Sequence, residues 1–331
     1  MRIVRTLLLG LLTAAIAVST AWAQDKATFA LNWIPSGNHF GVFAAKERGF
    51  FRDADVDVDI QRGYGSGDTL KRVAIGTADI GIADAASVII GRTNGLNVKQ
   101  IASIFDTAFD CIFFLENNGI TQPKDLEGRS LGAAPSETTV NILPIFAAKA
   151  GVDLKKISIL SISPSAKYAS LAAKTVDSIV GSTVEEPANQ NAAQKIGSKI
   201  NRFRFSDYGV DYYSIGLVAS DQMLAKKPDL VRRLAVSTMQ GYAWSIQHPG
   251  EAADAFAKSV PESSRDLMLA QWKITVGHML TERTRSNGLG WIDRARMIST
   301  LELTKTYQNI HSAIRVEDLY TMEYLPKIPV N

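Results

Sequence analysis

Apolar and polar positions along the first part of the chain form blocks that predict strands and helices in turn. Short apolar runs predict buried strands, and apolar residues three to four positions apart predict helices. The predicted strands are 27–32, 56–61 and 80–83, and the predicted helices are 38–48, 68–75 and a segment that starts at 85. Short connections between them indicate an α/β fold with a mainly parallel sheet covered by helices.

The next part of the chain repeats this plan. The predicted strands are 130–134, 157–162 and 177–181, and the predicted helices are 138–150 and 165–173. Segments 76–82 and 174–180 share a threonine, an aspartate and an apolar tail at a constant offset of 98 residues. This repeat predicts two lobes of like topology. The alternative is that the two segments are a common helix-to-strand turn and match by chance.

The chain is expected to cross between the two lobes twice. An apolar strand at 111–115 leads toward the second lobe, and 212–219 is the best return crossing. The predicted division is therefore a first lobe over 24–112, a second lobe over 113–211 and a return to the first lobe over 212–331. The part after the return has mostly helical periodicity, and two crossings indicate a hinge.

Residues 1–23 predict a signal peptide. Arg2 and Arg5 precede an apolar run over 7–18, and Ala21 and Ala23 have the spacing of a cleavage site. The apolar run is shorter than the roughly 18 to 20 residues that cross a bilayer. We therefore expect cleavage and a periplasmic protein, with a retained membrane anchor as the alternative.

Charge and cysteine content narrow the class of partner. The formal net charge is +3, and the basic residues are dispersed, so neither nucleic acid nor an anionic membrane is an expected partner. The single cysteine, Cys111, excludes an internal disulfide and lies in an apolar strand, where an inert packed thiol is expected. With 46% hydrophobic residues, the chain can bury two cores. We also expect the protein to be a monomer.

The first predicted strand ends at a candidate binding wall. Asn32 and Trp33 lie at its carboxyl end, where open α/β sheets usually bind ligands. The indole can stack on a planar or cationic ligand, or it can simply cover the core. His39 opens the next helix and either donates to a ligand or serves as a capping or packing residue.

Two further strand-to-helix turns of the first lobe are candidates. Gly65 and Ser66 precede one helix, and Asp84 and Ala85 precede another, so free backbone N–H groups point outward there. Each turn could contact a small polar ligand. Each could equally well act only as a helix cap.

A corresponding turn in the second lobe carries Ser136, Thr138 and Thr139, whose hydroxyls and amides can face the cleft or only cap the helix. Of the adjacent Glu185 and Glu186, we expect Glu186 to face the cleft, because the residue before a proline is held extended.

A buried carboxylate would require a cationic or amidine-like ligand group, whereas a solvated acidic turn is the alternative. Tyr212, at the return crossing, could add a second stacking face.

Signatures of catalysis are missing from the sequence. It contains no G-x-S-x-G, no Walker lysine and no H-E-x-x-H, and its four histidines lack metal-ligand spacing. Asp68 replaces the third glycine of a dinucleotide fingerprint, where its carboxylate would repel a pyrophosphate. No catalytic residue, metal or cofactor is predicted.

The motifs LNWIPSGNHFGVFAAKERGFF, GSGD, VAIGTADIGIADA and GITQPKDLEGRSLG resemble those of periplasmic substrate-binding proteins of ABC importers in the NMT1/THI5-like group. The resemblance covers roughly 27–225. It implies a two-lobe type II periplasmic-binding-protein fold that encloses its ligand by hinge closure and delivers it to a membrane permease.

The resemblance also places Asn32, Trp33, Asn38 and His39 on the first-lobe wall, and its pattern favours the branch that binds pyrimidine precursors of thiamine. The cysteine cluster of the fungal pyrimidine synthases of this group is missing, so synthase activity is not expected. The chain is therefore interpreted as a receptor for a small planar heterocycle. A receptor for a sulfonate, taurine, nitrate or an aromatic acid is the alternative, followed by a secreted enzyme that uses Cys111 or a histidine.

Overall fold

A computed structural model describes residues 24–330, so the predicted signal peptide lies outside the described residues. Within this range the chain forms two five-stranded sheets, each with helices packed around it. The strands are β1 (Asp25–Ala30), β2 (Val56–Gln61), β3 (Ile80–Asp84), β4 (Val98–Ser103), β5 (Asp110–Leu115), β6 (Ser130–Ala133), β7 (Ser158–Ser161), β8 (Ser178–Ser182), β9 (Ile200–Arg204) and β10 (Ile215–Ser220).

The helices follow the strands in the first two thirds of the chain and then dominate it, as the periodicity predicts. They are α1 (Phe40–Glu47), α2 (Phe50–Asp53), α3 (Ser66–Ala74), α4 (Ala85–Thr93), α5 (Thr138–Ala150), α6 (Lys167–Ala172), α7 (Glu186–Gln194), α8 (Asp221–Lys226), α9 (Pro228–Gln247), α10 (Pro249–Ser259), α11 (Arg265–Met279), α12 (Glu282–Asn287) and α13 (Arg294–Gln308). No helix among residues 24–330 is both long and apolar enough to cross a membrane.

The two sheets have the same topology. Their strand orders are β2-β1-β3-β10-β4 and β7-β6-β8-β5-β9. In each sheet one strand, β10 or β5, runs antiparallel to both of its neighbours, while the three strands on one side of it pair in parallel. The prediction of two α/β lobes with mainly parallel sheets is confirmed.

The repeated sequence segment corresponds to a repeated structural turn. Asp79 accepts a hydrogen bond from the backbone N–H of Thr28 at 2.9 Å, and Asp177 accepts one from the N–H of Ser130 at 2.8 Å. Both aspartates lie just before the central strand of their sheet, β3 or β8. The residues that open the two turns, Gly76 and Lys174, both have left-handed backbones, with φ of 77° and 58°. The sequence repeat therefore corresponds to the same turn in each lobe.

Each crossing leads into the strand that runs antiparallel to its neighbours, β5 in the second sheet and β10 in the first. Strand β5 belongs to the second sheet from Asp110 onward, so the predicted boundary between 112 and 113 falls inside it, and β10 returns to the first sheet. Helix α13 packs against both α4 of the first lobe and α5 of the second. The two crossings meet where the Tyr212 hydroxyl donates to Asp110, and this is the place at which a hinge is expected.

Each lobe has its own core. In the first, the aromatic rings of Phe40 and Trp272 stack with their centres 5.4 Å apart, which ties α1 to α11. In the second, Phe146 of α5 stacks on Phe205 with the ring centres 4.3 Å apart. Segments that follow the carboxyl ends of β1, β6 and β8 line one cavity, so the carboxyl ends of the parallel strands in the two lobes face one another across a cleft.

Candidate functional site

The cleft is lined from both lobes. It encloses a cavity of about 40 Å³, far below the roughly 300 to 1,000 Å³ of typical ligand pockets. The two lobes are thus closed against each other. The lining residues are Asn32, Trp33, Ser36, Asn38 and Gly65 from the first lobe, Phe109 from the crossing, and Glu137, Thr138, Thr139, Ser182, Val184 and Glu185 from the second lobe.

The first-lobe wall is built on the segment that follows β1. Trp33 is half-buried and faces the cavity, and the adjacent Asn32 is buried with its side chain at the same wall. The Oδ1 atom of Asn32 lies 3.0 Å from Nε2 of His39. This contact fixes which end of the amide faces the cavity.

His39 acts behind this wall rather than in it. It is fully buried, and burial lowers its pKa to about 3, so the ring is neutral. Its Nδ1 accepts the backbone N–H of Ser36 at 3.2 Å, so the ring proton is on Nε2 and is donated to Oδ1 of Asn32. The Nδ2 donor of Asn32 is therefore turned toward the cavity.

The glycine turn brings the lobes into contact. Gly65 has a φ of 131°, and a Cβ placed on it would lie 1.9 Å from the carbonyl oxygen of Ser136 in the opposite lobe. Next to it, the hydroxyl of Ser66 lies 3.0 Å from that of Thr138. Only glycine allows the two backbones to approach this closely.

Asp84 stabilises this closure, and neither Asp84 nor the adjacent Ala85 lines the cavity. Asp84 is fully buried and caps α4 by accepting the N–H of Ser87 at 2.8 Å. It also accepts the Thr138 hydroxyl of the second lobe at 3.0 Å, so the cap is at the same time a bond between the lobes. The turn therefore caps α4, and contact of Asp84 or Ala85 with a ligand remains a prediction.

A half-buried histidine of α11, His278, adds a further bond between the lobes. The ring of His278 lies 2.8 Å from the Thr107 hydroxyl at the crossing and 2.7 Å from the Thr183 hydroxyl in the second lobe. Burial lowers the pKa of His278 to about 4, so the ring is neutral near pH 7.

The second-lobe wall carries two carboxylates and a buried lysine. Glu137 directly precedes α5, and Glu185 ends a 3-10 turn, Thr183–Glu185, after β8. Lys167, the first residue of α6, is ion-paired with Glu137, and its Nζ lies 3.7 Å from Glu185. The same Nζ lies 5.1 Å from the centre of the Trp33 ring, within range of a cation–π contact.

The expectation that Glu186 faces the cleft is corrected by the structure. The segment before Pro187 is not extended but turns into α7, whose first residue is Glu186, and a proline suits the first turn of a helix. The turn points Glu185 into the cavity and Glu186 away from it, to Arg202 at 2.6 Å.

Tyr212 is part of the hinge rather than a stacking face. It is buried, and its hydroxyl donates to Asp110 at the start of the other crossing. Thr139 donates to the same carboxylate at 2.8 Å. Burial raises the pKa of Asp110 to about 7. The pair thus joins the two crossings at the floor of the cleft.

Five of the twelve predicted site residues line the cavity, namely Asn32, Trp33, Gly65, Thr138 and Thr139. The others lie behind it or outside it, namely His39, Ser66, Asp84, Ala85, Ser136, Glu186 and Tyr212. Contact with a ligand remains a prediction for all of them. Sequence reasoning missed Glu137 and Lys167, although Glu137 lies within the Ser136-to-Thr139 turn that it had singled out.

The cysteine Cys111 is buried in β5, outside the cavity lining. Burial raises the pKa of the Cys111 thiol well above its usual range, so it stays protonated. Within residues 24–330, no three His, Cys, Asp or Glu side chains are grouped in a way that could hold a metal ion.

Two α/β lobes of one topology, joined by two crossings and closed over a polar cleft with an indole on one wall, define a hinged ligand-binding protein. The chain belongs to the NMT1/THI5 like family, whose sequence profile matches residues 36–252.

Three relatives illustrate the range of the family. The chain is 24% identical over 290 residues to the formylaminopyrimidine-binding protein of Halalkalibacterium halodurans, with 86% of each chain covered. It is 24% identical over 326 residues to the riboflavin-binding protein RibY of Chloroflexus aurantiacus, with 95% of this chain and 90% of the relative covered. It is also 23% identical over 254 residues to the 4-amino-5-hydroxymethyl-2-methylpyrimidine phosphate synthase of Candida albicans, with 74% of each covered.

A solved structure with the same fold is the alkanesulfonate-binding protein SsuA of Xanthomonas axonopodis pv. citri bound to MOPS. It superimposes with a TM-score of 0.68 at 13% identity, over 91% of this chain and 99% of that one.

Proposed function

We propose that the protein is a monomeric periplasmic receptor that closes its two lobes on a small planar heterocycle and delivers it to an ABC importer permease. The heterocycle is of the aminopyrimidine type, as in the name of the Halalkalibacterium halodurans relative. The observation that carries the proposal is that Trp33 of one lobe and the carboxylates of Glu137 and Glu185 of the other share one closed cleft.

Each wall matches a different part of such a ligand. The indole of Trp33 offers a flat apolar face, on which an aromatic ring can stack. The carboxylates accept hydrogen bonds from ring-bound amino groups, and the Nδ2 of Asn32 donates to a ring nitrogen. A planar molecule with both donors and acceptors at its edge would satisfy the whole set.

The charge of the site favours this class over an anion receptor. Two carboxylates line the cavity, whereas the ammonium of Lys167 is fully buried beside them. A sulfonate or nitrate would have to approach both carboxylates at close range, and like charges in a desolvated pocket repel strongly. The anionic alternative is therefore the second choice.

Closure supports a transport role. A cavity of about 40 Å³ has no room for a heterocycle, so binding requires the lobes to separate and then to close on the ligand. The contacts between Gly65 and Ser136 and between Ser66 and Thr138 lie at the joint that would open. A permease can then distinguish the closed form from the open form by the relative position of the lobes.

We propose binding without chemical conversion. His39 and the half-buried His278 are neutral and occupied by protein hydrogen bonds, and Cys111 is a buried thiol. The groups that line the cavity bind and orient a ligand, but none of them is paired as nucleophile and base.

Calorimetric titration with formylaminopyrimidine, riboflavin and an alkanesulfonate tests this function. We expect the pyrimidine to bind best. Trp33→Ala should weaken its binding by roughly 1 to 3 kcal/mol, the range measured for stacking of a base on an aromatic side chain. That is about 5- to 150-fold in Kd.

The matched control is Trp244→Ala. Trp244 also stacks with a cation, Arg48, at 4.8 Å from the ring centre, but it does not line the cleft. Equal affinities of the two variants would refute the stacking role of Trp33. A wild-type protein that binds the sulfonate and neither heterocycle would refute the proposed ligand class.

A further inference from the structure

The second-lobe wall contains an unequal number of charges. Glu137 and Glu185 both line the cavity, and the only cation in contact with them among the described residues is Lys167. The side chain of Lys167 is 0% exposed, against 7% for Glu137 and 9% for Glu185. With all three groups ionised, this cluster, the Glu137–Lys167–Glu185 triad, carries one net negative charge.

The neighbours of the triad do not correct this imbalance. The hydroxyl of Tyr168 donates to Glu185 at 2.7 Å, and the thiol of Cys111 lies close by. Burial raises the pKa of both groups well above their usual ranges, so they are neutral near pH 7. A further cation of the second lobe, Arg202, is paired with Glu186 at 2.6 Å outside the cleft.

The two carboxylates accept different numbers of hydrogen bonds besides their contacts with Lys167. Glu185 accepts the N–H of Ser182 at 2.8 Å as well as the Tyr168 hydroxyl, while Glu137 accepts the N–H of Ala134 at 3.2 Å. Burial raises the pKa of Glu137 to about 7 against the opposing effect of Lys167. Lys167 remains charged: burial lowers its pKa, but the two carboxylates outweigh that effect and raise it.

A single uncompensated charge in a closed cleft is costly. It must be neutralised by a proton or by a charge on the ligand. An amidine-like ring can serve in either way, because it donates an N–H to a carboxylate and can itself hold the proton. A permanent anion can do neither.

We infer that the cleft binds its ligand together with about one proton, and that Lys167, by neutralising only one of the two carboxylates, sets the charge of the ligand that the protein accepts. This inference rests on the proposed function. Beyond the proposed function, the inference makes Lys167 a specificity-determining residue. The protein should accept weakly basic heterocycles and reject anions.

The sign of the pH dependence follows from this count. Above about pH 7 the triad of the free protein has lost its proton, whereas the complex retains one. Ligand binding therefore takes up one proton at these pH values. The affinity for the ligand should then fall by up to about tenfold for each pH unit. Below that pH the triad already holds the proton, and affinity should be independent of pH.

The test is calorimetry of the full chain with formylaminopyrimidine at pH 6 and pH 8.5, in buffers of different ionisation enthalpy. The dependence of the observed heat on the buffer gives the number of protons bound. We expect about one proton per ligand at pH 8.5 and about none at pH 6. Riboflavin and an alkanesulfonate serve as the neutral and the anionic probe.

Two variants localise the effect. Glu137→Gln and Glu185→Gln each make the triad neutral, so either one should abolish the proton uptake at pH 8.5. Glu186→Gln, one residue further along and outside the cleft, is the matched control and should retain it.

Formylaminopyrimidine binding without linked protons at pH 8.5 would overturn the inference and leave the proposed function intact. So would retention of the uptake by both cleft variants. Tight binding of the sulfonate would overturn the inference on specificity. If none of the three probes bound, the proposed function itself would fail.

Discussion

The buried ammonium of Lys167 leads to a sharp prediction about stability. Replacing it by methionine keeps most of the volume of the side chain but removes the positive charge between Glu137 and Glu185. Its Nζ is ion-paired with the first and lies 3.7 Å from the second, and all three side chains are at least nine-tenths buried. Lys167→Met would therefore leave two buried carboxylates without a cationic partner.

Loss of one partner of a buried pair costs about 3 to 5 kcal/mol, because an uncompensated charge remains. That is a large share of the roughly 5 to 15 kcal/mol that stabilises a typical protein. Glu137 can avoid part of the cost by taking up a proton, since burial already raises its pKa to about 7. The loss should thus be near the full value at pH 8.5 and smaller at pH 6.

Urea unfolding followed by circular dichroism measures this difference. Lys149→Met, an exposed lysine of α5 in the same lobe, is the control and should change the unfolding free energy by less than about 0.5 kcal/mol. The double variant Lys167→Met/Glu137→Gln removes the ammonium together with one carboxylate. Its remaining Glu185 keeps the Tyr168 and Ser182 donors, so the loss should fall below about 2 kcal/mol.

An equal effect of Lys167→Met and Lys149→Met at pH 8.5 would refute the argument, since it would mean that Lys167 is not held between carboxylates. A double variant no more stable than Lys167→Met would also contradict it. In that case the cost would come from lost packing rather than from charge.

Two further predictions concern the hinge and the closure. The pKa of Asp110 is about 7 in the folded chain and about 3.8 in the unfolded chain. The contribution of this group to the free energy of unfolding therefore falls as the pH rises from about 3.8 to about 7. Tyr212→Phe removes a hydrogen bond to Asp110 and should lower the free energy of unfolding by about 1.5 to 3 kcal/mol at pH 8.5, where Asp110 is ionised. In the same urea assay the loss should be smaller at pH 5. A loss that did not depend on pH would contradict this prediction. Gly65→Ala should hold the lobes apart, because its Cβ would lie 1.9 Å from the Ser136 oxygen, and should weaken ligand binding. X-ray scattering should give a larger radius of gyration than for Gly277→Ala, where a Cβ meets nothing within 4 Å; identical radii would contradict the role of Gly65.

Local pattern was sufficient for the elements and the topology. Helix Thr138–Ala150 and strand Val56–Gln61 have the bounds that periodicity predicts. The two aspartate turns at Asp79 and Asp177 already revealed the internal likeness of the lobes. Periodicity and turn chemistry depend on neighbours within a few residues, so they can be read from one segment at a time.

The orientation of individual side chains depended on more than the local pattern. Whether Glu185 or Glu186 faces the cleft depends on whether the segment after β8 is extended or turns into α7, and a proline at 187 is compatible with both. Likewise, the sequence placed His39 at the ligand wall but could not tell that Ser36 and Asn32 would engage both of its nitrogens.

Sequence alone therefore determined two α/β lobes of one design, a hinge between them and an indole at a strand end. Only the tertiary structure decided the charge of the cleft. Lys167 lies 30 residues from Glu137 and 18 from Glu185 along the chain, and Trp33 reaches it from the opposite lobe. Charge compensation is a property of groups brought within a few ångströms after both lobes have folded and closed, and no local pattern encodes that distance.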